Sequence, residues 1–258
     1  MSRRGRGRAT AARHDAMVGL VRDGAVTDVE TLAERLSVSA STVRRDLSRL
    51  QQEGRLARTY GGALATDVFH ERSFGESERL NLEAKAAIAD VALGLVPTEG
   101  TVFLDAGTTC LALARRLAGA GPLTVVTRGL EAALLLARSA NVDVVLTGGR
   151  VQPLSHGVIG PLASLALDRL HFDIAFLGAD AVDPVRGLGE PTVEETWVKQ
   201  EAADRADHVV LLADSSKLTQ RAPAWIPIEQ SWTIVLDAAV PEASCTAFTE
   251  RGVRVLTP

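Results

Sequence analysis

The chain has 258 residues, 46% of them hydrophobic and 23% charged, which excludes a mini-protein and wholesale disorder and allows one large domain or two of ordinary size. No uncharged apolar run reaches the roughly 18 to 20 residues that a membrane helix needs, and the Arg-rich start is not followed by an apolar signal core, so a cytoplasmic protein is expected. The net charge of −4 is unevenly divided: residues 1–65 hold 12 Arg against 7 acids, a net of +5, and the remainder stands at −9. Only the first part is then expected to seek a polyanion such as DNA. Cys110 and Cys245 form no Cys-x-x-Cys or His-partnered pattern, so free thiols are expected and neither a disulfide framework nor a metal site.

The opening run Arg3-Arg4-Gly5-Arg6-Gly7-Arg8 is basic and of low complexity, and reads either as a disordered phosphate-contacting arm or as a solubilising tail, the tail being favoured. A first helix is expected from about Ala11 to Arg22, with Met17, Leu20 and Val21 on one face and Asp23-Gly24 as its break. Thr27-Asp28-Val29-Glu30 fits a capping box with Thr27 as the cap, and Val29, Leu32, Ala33 and Leu36 follow at helical spacing. Ser37-Val38-Ser39 forms a tight turn before a third helix, from about Ala40 to Glu53, whose Val43, Leu47 and Leu50 point inward.

The other face of this third helix carries Ser41, Thr42, Arg44, Arg45, Ser48 and Arg49, hydroxyls and guanidinium groups suited to phosphates and to base edges in a major groove. Alternation from Arg55 to Thr59, then Tyr60-Gly61-Gly62-Ala63, reads as a short hairpin wing that brings Arg55 and Arg58 to a phosphate backbone. A charged helix face alone is ordinarily just solvated surface. Three short helices, a tight turn, an Arg and hydroxyl face and a basic hairpin together point to DNA.

These segments, Leu32-Ala33-Glu34-Arg35-Leu36-Ser37-Val38-Ser39, Ser41-Thr42-Val43-Arg44-Arg45-Asp46-Leu47, Leu50-Gln51-Gln52-Glu53-Gly54 and Tyr60-Gly61-Gly62-Ala63, resemble the winged helix-turn-helix of the DeoR/GlpR family of bacterial repressors. The candidate DNA contacts are Ser39, Ser41, Thr42, Arg44, Arg45 and Arg49, with Arg55, Arg58, Tyr60 and Gly61 from the wing. The expected organisation is a winged helix-turn-helix domain at 10–65, a charged linker at 66–80 and an effector-sensing and oligomerisation domain at 81–258. The last is expected to open with a helix from about Asn81 to Leu95, whose Leu82, Lys85, Ala86, Ala89 and Leu93 share a side.

From Gly100 onward short apolar runs alternate with helical patterns: Thr101–Leu104, Leu123–Val126, Val142–Leu146, Ile174–Leu177 and Val209–Leu212. Such runs separated by helices indicate an α/β fold with a mostly parallel sheet, ligands being expected beyond the strands' carboxyl ends. There the polar turns Asp105-Ala106-Gly107-Thr108-Thr109, Thr127-Arg128, Thr147-Gly148-Gly149, Gly178-Ala179-Asp180 and Asp214-Ser215-Ser216-Lys217 occur. Gly107, Thr108 and Thr109 precede a helix, where free amides suit a phosphate; Lys217 adds a point charge and Asp180 a hydroxyl acceptor. That chemistry describes a phosphorylated sugar or polyol. Neither a Gly-x-Gly-x-x-Gly nor a Gly-x-x-x-x-Gly-Lys-Ser/Thr motif is present, so no nucleotide cofactor is expected.

These turns, with Glu195-Thr196-Trp197-Val198-Lys199, are similar in order to the DeoR/GlpR sensor domain, which resembles ribose-5-phosphate isomerase in fold. The resemblance implies a repressor of sugar-uptake or sugar-catabolism genes relieved by a phosphosugar, acting as a dimer or tetramer on double-stranded operator DNA. It implies effector contacts at Asp105, Gly107, Thr108, Thr109, Gly148, Gly149, Asp180, Glu195, Lys199 and Lys217. Arg128 is added to them and departs from the family's usual Asn, an extra cation that favours a second anionic group.

Two rival readings are weaker. An isomerase would carry Asp-Gly-Ala-Asp-Glu, but the run here is Leu177-Gly178-Ala179-Asp180-Ala181, without the flanking acids that enolisation chemistry uses, so no catalytic residue is expected. A redox sensor would use Cys110, near a helix N-terminus where a thiolate is favoured, but no resolving cysteine lies close in sequence. His156 reads as an exposed loop histidine, and Trp197, Trp225 and Trp232 as core or interface residues.

Overall fold

The computed structural model describes residues 13–20, 28–52, 56–59, 62–65 and 71–258. The chain divides into two compact units, 1–70 and 71–258. In the first, residues 13–20 are helical (α1), followed by α2 (Val29–Arg35), α3 (Ala40–Gln52) and an antiparallel hairpin of β1 (Leu56–Thr59) and β2 (Gly62–Ala65). Met17, Val29, Leu32, Ala33, Val43, Leu47 and Leu50 form one buried cluster with Leu20 and Leu36 at its edge, so the inward faces read from helical spacing are the packed ones.

The cap of α2 lies one residue later than the capping box places it. Asp28 Oδ1 accepts a hydrogen bond from the Thr31 amide at 2.8 Å, and Thr27 falls outside the described residues. An acidic cap gains from the positive end of the helix, and Glu30 is instead exposed and paired with Arg44.

The second unit begins with α4 (Phe74–Glu78) and α5 (Leu82–Leu93). Residues 71–80, expected in the linker, belong to it: Ser73 and Glu76 make a capping box, Phe74 is buried, and its amide donates to Leu154 O at 2.7 Å. The buried side of α5 is Lys85, Ile88, Ala89 and Ala92, while Leu82 and Leu93 are exposed, which corrects the face read from sequence. Lys85 and Ala89 lie on the inner side as expected; Ile88 and Ala92 complete it in place of Leu82 and Leu93, and the Lys85 ammonium donates to the carbonyls of Ser77 (2.5 Å) and Leu80 (2.8 Å), pinning the preceding segment. Burial lowers its pKa to about 8.

Chain order then runs β3 (Gly100–Leu104), α6 (Thr108–Leu117), β4 (Leu123–Thr127), α7 (Leu130–Leu136), β5 (Val142–Leu146), β6 (Arg150–Val151), β7 (Val158–Ile159), α8 (Pro161–Leu167) and β8 (Phe172–Leu177). It continues with β9 (Ala181–Asp183), β10 (Gly187–Glu190), α9 (Val193–Ala203), β11 (Ala206–Ala213), a 3-10 turn (Ser215–Thr219), β12 (Ala224–Ile226), β13 (Thr233–Leu236), α10 (Glu242–Thr249) and β14 (Arg254–Leu256). Seven strands form one parallel sheet in the order β14-β13-β11-β8-β3-β4-β5. All five apolar runs read from sequence lie in it.

Alternation along each strand fills two cores. Val102, Leu104, Val125 and Phe176 pack with Ile88 of α5 and Leu113 of α6 on one face; Phe103, Val126, Ala175 and Leu177 pack with Leu167 of α8, Val198 of α9 and Phe248 of α10 on the other. With both faces covered, the turns at the carboxyl ends of β3, β4, β8 and β11 share one edge.

Among the described residues of the first unit one carboxylate is buried. Asp46 of α3 accepts from Arg13 Nε at 2.7 Å and lies 3.1 Å from His14 Nε2, tying α1 to α3. Burial alone would raise its pKa, but Arg13 and His14 outweigh it and hold the carboxyl below its usual value. Its folded pKa is depressed, so its contribution is present above the unfolded value of about 3.9 and is lost as pH falls through the folded one. Asp46→Ala is expected to cost about 1 to 3 kcal/mol at pH 7, read from denaturant unfolding, with the difference shrinking below pH 4; equal stability at pH 7 would contradict this tie.

Candidate functional site

Turn geometry in the first unit presents one face of α3. Ser37 adopts a positive φ of 52°, and Ser39 then caps α3, its Oγ accepting from the Thr42 amide at 3.2 Å. Its hydroxyl also lies 2.9 Å from those of Ser41 and Thr42, so these three expected contacts form one hydrogen-bonded group at the start of the helix. Ser41, Arg44, Arg45 and Arg49 are exposed on the side opposite Val43, Leu47 and Leu50. Arg44 Nη2 donates to Glu30 Oε1 at 3.1 Å. Arg55, Tyr60 and Gly61 lie outside the described residues, and Arg58 is placed in β1 opposite Ala63.

In the second unit a cleft of about 560 Å³, partly open to solvent, lies at the carboxyl edge of the sheet. Of the expected contacts it gathers Gly107, Thr108, Thr109, Arg128, Asp180, Lys199 and Lys217. Gly107 takes a φ of 101° at the N-terminus of α6, where no side chain caps the helix, so the first amides have no side-chain acceptor. Lys217 Nζ stands 3.3 Å from Asp180 Oδ1. Asp214 and Asp237 fix the turn that carries Lys217: Asp214 accepts from Asn81 Nδ2 at 2.9 Å and Asp237 from the Ser215 amide at 2.6 Å.

Asp105 is fully buried beneath this floor. Its Oδ1 accepts from Arg128 Nε at 2.5 Å and from the Ala106 amide at 2.7 Å; its Oδ2 accepts from the Gly178 amide at 3.0 Å and lies 2.9 Å from Lys199 Nζ. Lys199 also donates to Gly178 O at 2.8 Å and Glu190 Oε1 at 2.5 Å. Burial alone would raise the Asp105 carboxyl, but the Arg128 and Lys199 charges beside it hold it low. Against the opposing effect of burial, Asp105 and Glu190 hold Lys199 and Arg128 above their usual values, so both stay charged. Glu190 is pushed up to about 8 chiefly by burial, with Lys199 pulling the other way.

Four expected contacts do not line the cleft. Glu195 is buried and accepts from Ser155 Oγ at 3.1 Å and Thr192 Oγ1 at 2.9 Å, a role in starting α9. Gly149 has a φ of 136°, and a Cβ there would lie 2.3 Å from Ile159 O, so its glycine serves the close approach to β7; Gly148 lies against Leu162. Asp105 supports the site from below rather than lining it. The cleft adds Glu71, Arg72, Phe74, Ser77, Leu154, Ser155 and Glu190. Glu190, an acid closing the apolar strand Gly187–Glu190, was visible in sequence; the first four lie in a segment whose few apolar positions concealed it. Glu71 is raised to about 7 by burial, with Glu195 and Asp180 adding to the effect.

Cys110 is fully buried below the cleft, and burial pushes its thiol up with Asp105 adding to it, so the thiolate favoured by its place near a helix N-terminus does not form. His156 pairs with Glu131 and stacks on Phe74 at 5.2 Å. Trp232 is buried, Trp225 is partly buried beneath Arg186, and Trp197 is exposed.

A helix-turn-helix unit with a hairpin, followed by a separate parallel α/β unit with a polar cleft at its sheet edge, defines a helix-turn-helix regulator with its own sensor unit. The family model for the DeoR-like helix-turn-helix domain matches residues 13–68, and that for the DeoR C terminal sensor domain matches residues 80–238. The chain belongs to the DeoR family. It is 36% identical to the HTH-type transcriptional regulator GlpR of Haloferax volcanii, over 95% of this chain and 97% of that one. It is 32% identical to the HTH-type transcriptional regulator GolR of Listeria innocua, over 94% and 96% of the two chains. It is 33% identical to the transcriptional repressor AccR of Agrobacterium fabrum, over 89% and 90%. Among solved structures, ribose 5-phosphate isomerase A from Methanocaldococcus jannaschii aligns at 22% identity over 55% of this chain and 56% of that one, with a TM-score of 0.41. Among the described residues no helix is long and apolar enough to cross a membrane.

Asp105→Asn keeps the shape of the hub and removes its charge, leaving Arg128 and Lys199 buried beside Glu190 alone among their close acidic partners. A loss of about 3 to 5 kcal/mol is expected, measured by denaturant unfolding of the full chain; unchanged stability would show that the two cations do not depend on this carboxylate.

Proposed function

We propose that this chain is a cytoplasmic repressor of sugar-uptake or sugar-catabolism genes, and that its hold on operator DNA weakens when a phosphorylated sugar or polyol occupies the cleft of the second unit. The observation that carries the reading is the composition of that cleft. The uncapped N-terminus of α6, with Thr108 and Thr109, suits a phosphoryl group, and Lys217 supplies a cation in the same cleft. Asp180 and Glu190 offer acceptors for sugar hydroxyls. Family membership and the names of the relatives support the regulatory role. In the first unit, α3 acts as the recognition helix, with Arg44 and Arg45 reading base edges and Ser39, Ser41, Thr42 and Arg49 contacting phosphates; the wing residues Arg55, Arg58, Tyr60 and Gly61 add backbone contacts.

One recognition helix reads only a few base pairs, so the regulator works as a homo-oligomer on repeated half-sites. Leu162 and Leu165 of α8 and Val193 and Trp197 of α9 are exposed apolar side chains that support an interface in the second unit. Sensing rather than turnover is favoured because Asp180 is held by Lys217 and lacks the flanking acids of the isomerase pattern. Glu71, raised to about 7, and Glu190, pushed up to about 8, both line the cleft and come near a general base's requirement, so turnover is tested directly.

Full-length protein screened against a phosphosugar panel by thermal shift is expected to gain about 2.7 kcal/mol with a ligand at 100 times its dissociation constant, with the ligand recovered unchanged. Thr108→Val and Lys217→Ala are expected to lose that shift and keep operator binding. Arg45→Ala is expected to keep the shift and weaken specific operator binding by about 1 to 3 kcal/mol. Conversion of the sugar at enzymatic rates, or Arg45→Ala abolishing the ligand shift, would overturn the reading.

A further inference from the structure

A single phosphoryl group would not use all the cations of the cleft, and Arg128 is the buried one with a donor left free among the described residues. Arg128 follows β4, is almost completely buried, and lines the cleft. Its Nε is committed to Asp105, but its Nη1 is buried and has no hydrogen-bond partner among the described residues. Gly157 closes on it so tightly that a Cβ there would lie 2.4 Å from Nη1, and the Val158 amide donates to the backbone carbonyl of Arg128 at 2.7 Å, so the segment packed on the guanidinium is itself tied to the Arg128 backbone. A charged donor kept dry, fixed and unsatisfied is costly unless an acceptor arrives.

Neighbouring cations differ. Lys199 meets three acceptors, Asp105, Glu190 and Gly178 O, which match the three donors of its ammonium. Lys217 has one long contact to Asp180 and stands on the turn after β11. Strand order β11, β8, β3, β4 sets out in succession Lys217, Asp180, the N-terminus of α6 and Arg128. At roughly 4.8 Å between neighbouring strands, the turns bearing Lys217 and Arg128 stand about 14 Å apart at the backbone. The row thus starts and ends in a cation, with the Asp180 carboxylate and the free amides of α6 between.

We propose that the ligand of this cleft carries two anionic groups, one received by the α6 amides with Arg128 and the other by Lys217, separated by a hydroxyl-bearing chain. This rests on the phosphosugar reading and narrows it to a phosphorylated sugar acid or a sugar bisphosphate, whose shared chemistry is an anion at each end.

Binding of fructose 6-phosphate, fructose 1,6-bisphosphate and 6-phosphogluconate to the full-length protein, measured by calorimetry, tests it. At least one of the two doubly anionic compounds is expected to bind ten times more tightly than fructose 6-phosphate, and which one does so distinguishes a second phosphoryl group from a carboxylate. Arg128→Gln is expected to abolish that preference, weakening the doubly anionic compound about tenfold more than fructose 6-phosphate, whose one phosphoryl group can still seat at the Lys217 end. Should this variant not fold, the preference of the unaltered protein decides the matter. Equal or tighter binding of fructose 6-phosphate overturns the two-anion proposal and leaves the phosphosugar reading standing, as does an Arg128→Gln variant that weakens all three alike. Failure of all three to bind overturns both.

Discussion

Asp105 is a carboxylate with no access to water, placed where β3 gives way to α6, and the second unit is arranged around the need to satisfy it. Its two oxygens take donors from Ala106, Gly178, Arg128 and Lys199, which come from the ends of β3, β8 and β4 and from α9. A buried charge tolerated only when paired and hydrogen-bonded becomes a device for fixing its partners. Arg128 and Lys199 are charged and immobile because Asp105 is charged and immobile. The Gly107 turn that opens α6 begins two residues beyond the carboxylate that anchors it.

The parallel sheet makes this economical. Each strand delivers its polar turn to the same edge, so residues as far apart in sequence as Asp105 and Lys199 meet without any irregular backbone in the core. Both faces are covered by helices, which leaves the carboxyl edge as the open, polar part of the unit. In the first unit the same logic appears at smaller scale. Asp46 is buried against Arg13 and His14, while the arginines beside it in sequence, Arg44 and Arg45, stand outward. In each unit a buried acid organises the scaffold, and other cations face outward to the chemistry.

Much of this was legible in the amino-acid order because it obeys simple periods. Val43, Leu47 and Leu50 declare the inner face of α3, and the five apolar runs declare the parallel strands. What escaped had physical causes. Residues 71–80 contain one committed apolar side chain, Phe74, and are held by backbone hydrogen bonds and by Lys85, none of which leaves a periodic signature. In α5 the face read from sequence keeps Lys85 and Ala89 on the inner side but takes Leu82 and Leu93 where Ile88 and Ala92 are buried, because apolar residues lie all round this helix and spacing alone does not choose among them. Gly148 and Gly149 looked like ligand contacts from their place in a strand-end turn, although a close backbone approach to Ile159 accounts for Gly149. The departure at Arg128 was visible in the sequence; its burial and its unsatisfied Nη1 required the fold.

A regulator of this design needs a ligand that discriminates between its DNA-bound and free forms, since equal affinity for both would shift nothing. Linkage makes the effect reciprocal: whatever factor the ligand takes from operator affinity, the operator takes from ligand affinity. The most direct test is therefore the operator affinity of the full-length chain across a titration with the phosphosugar that stabilises it most. The account predicts a saturable weakening, matched by an equal loss of ligand affinity when operator is bound. Operator affinity that stays constant while the cleft fills would contradict it.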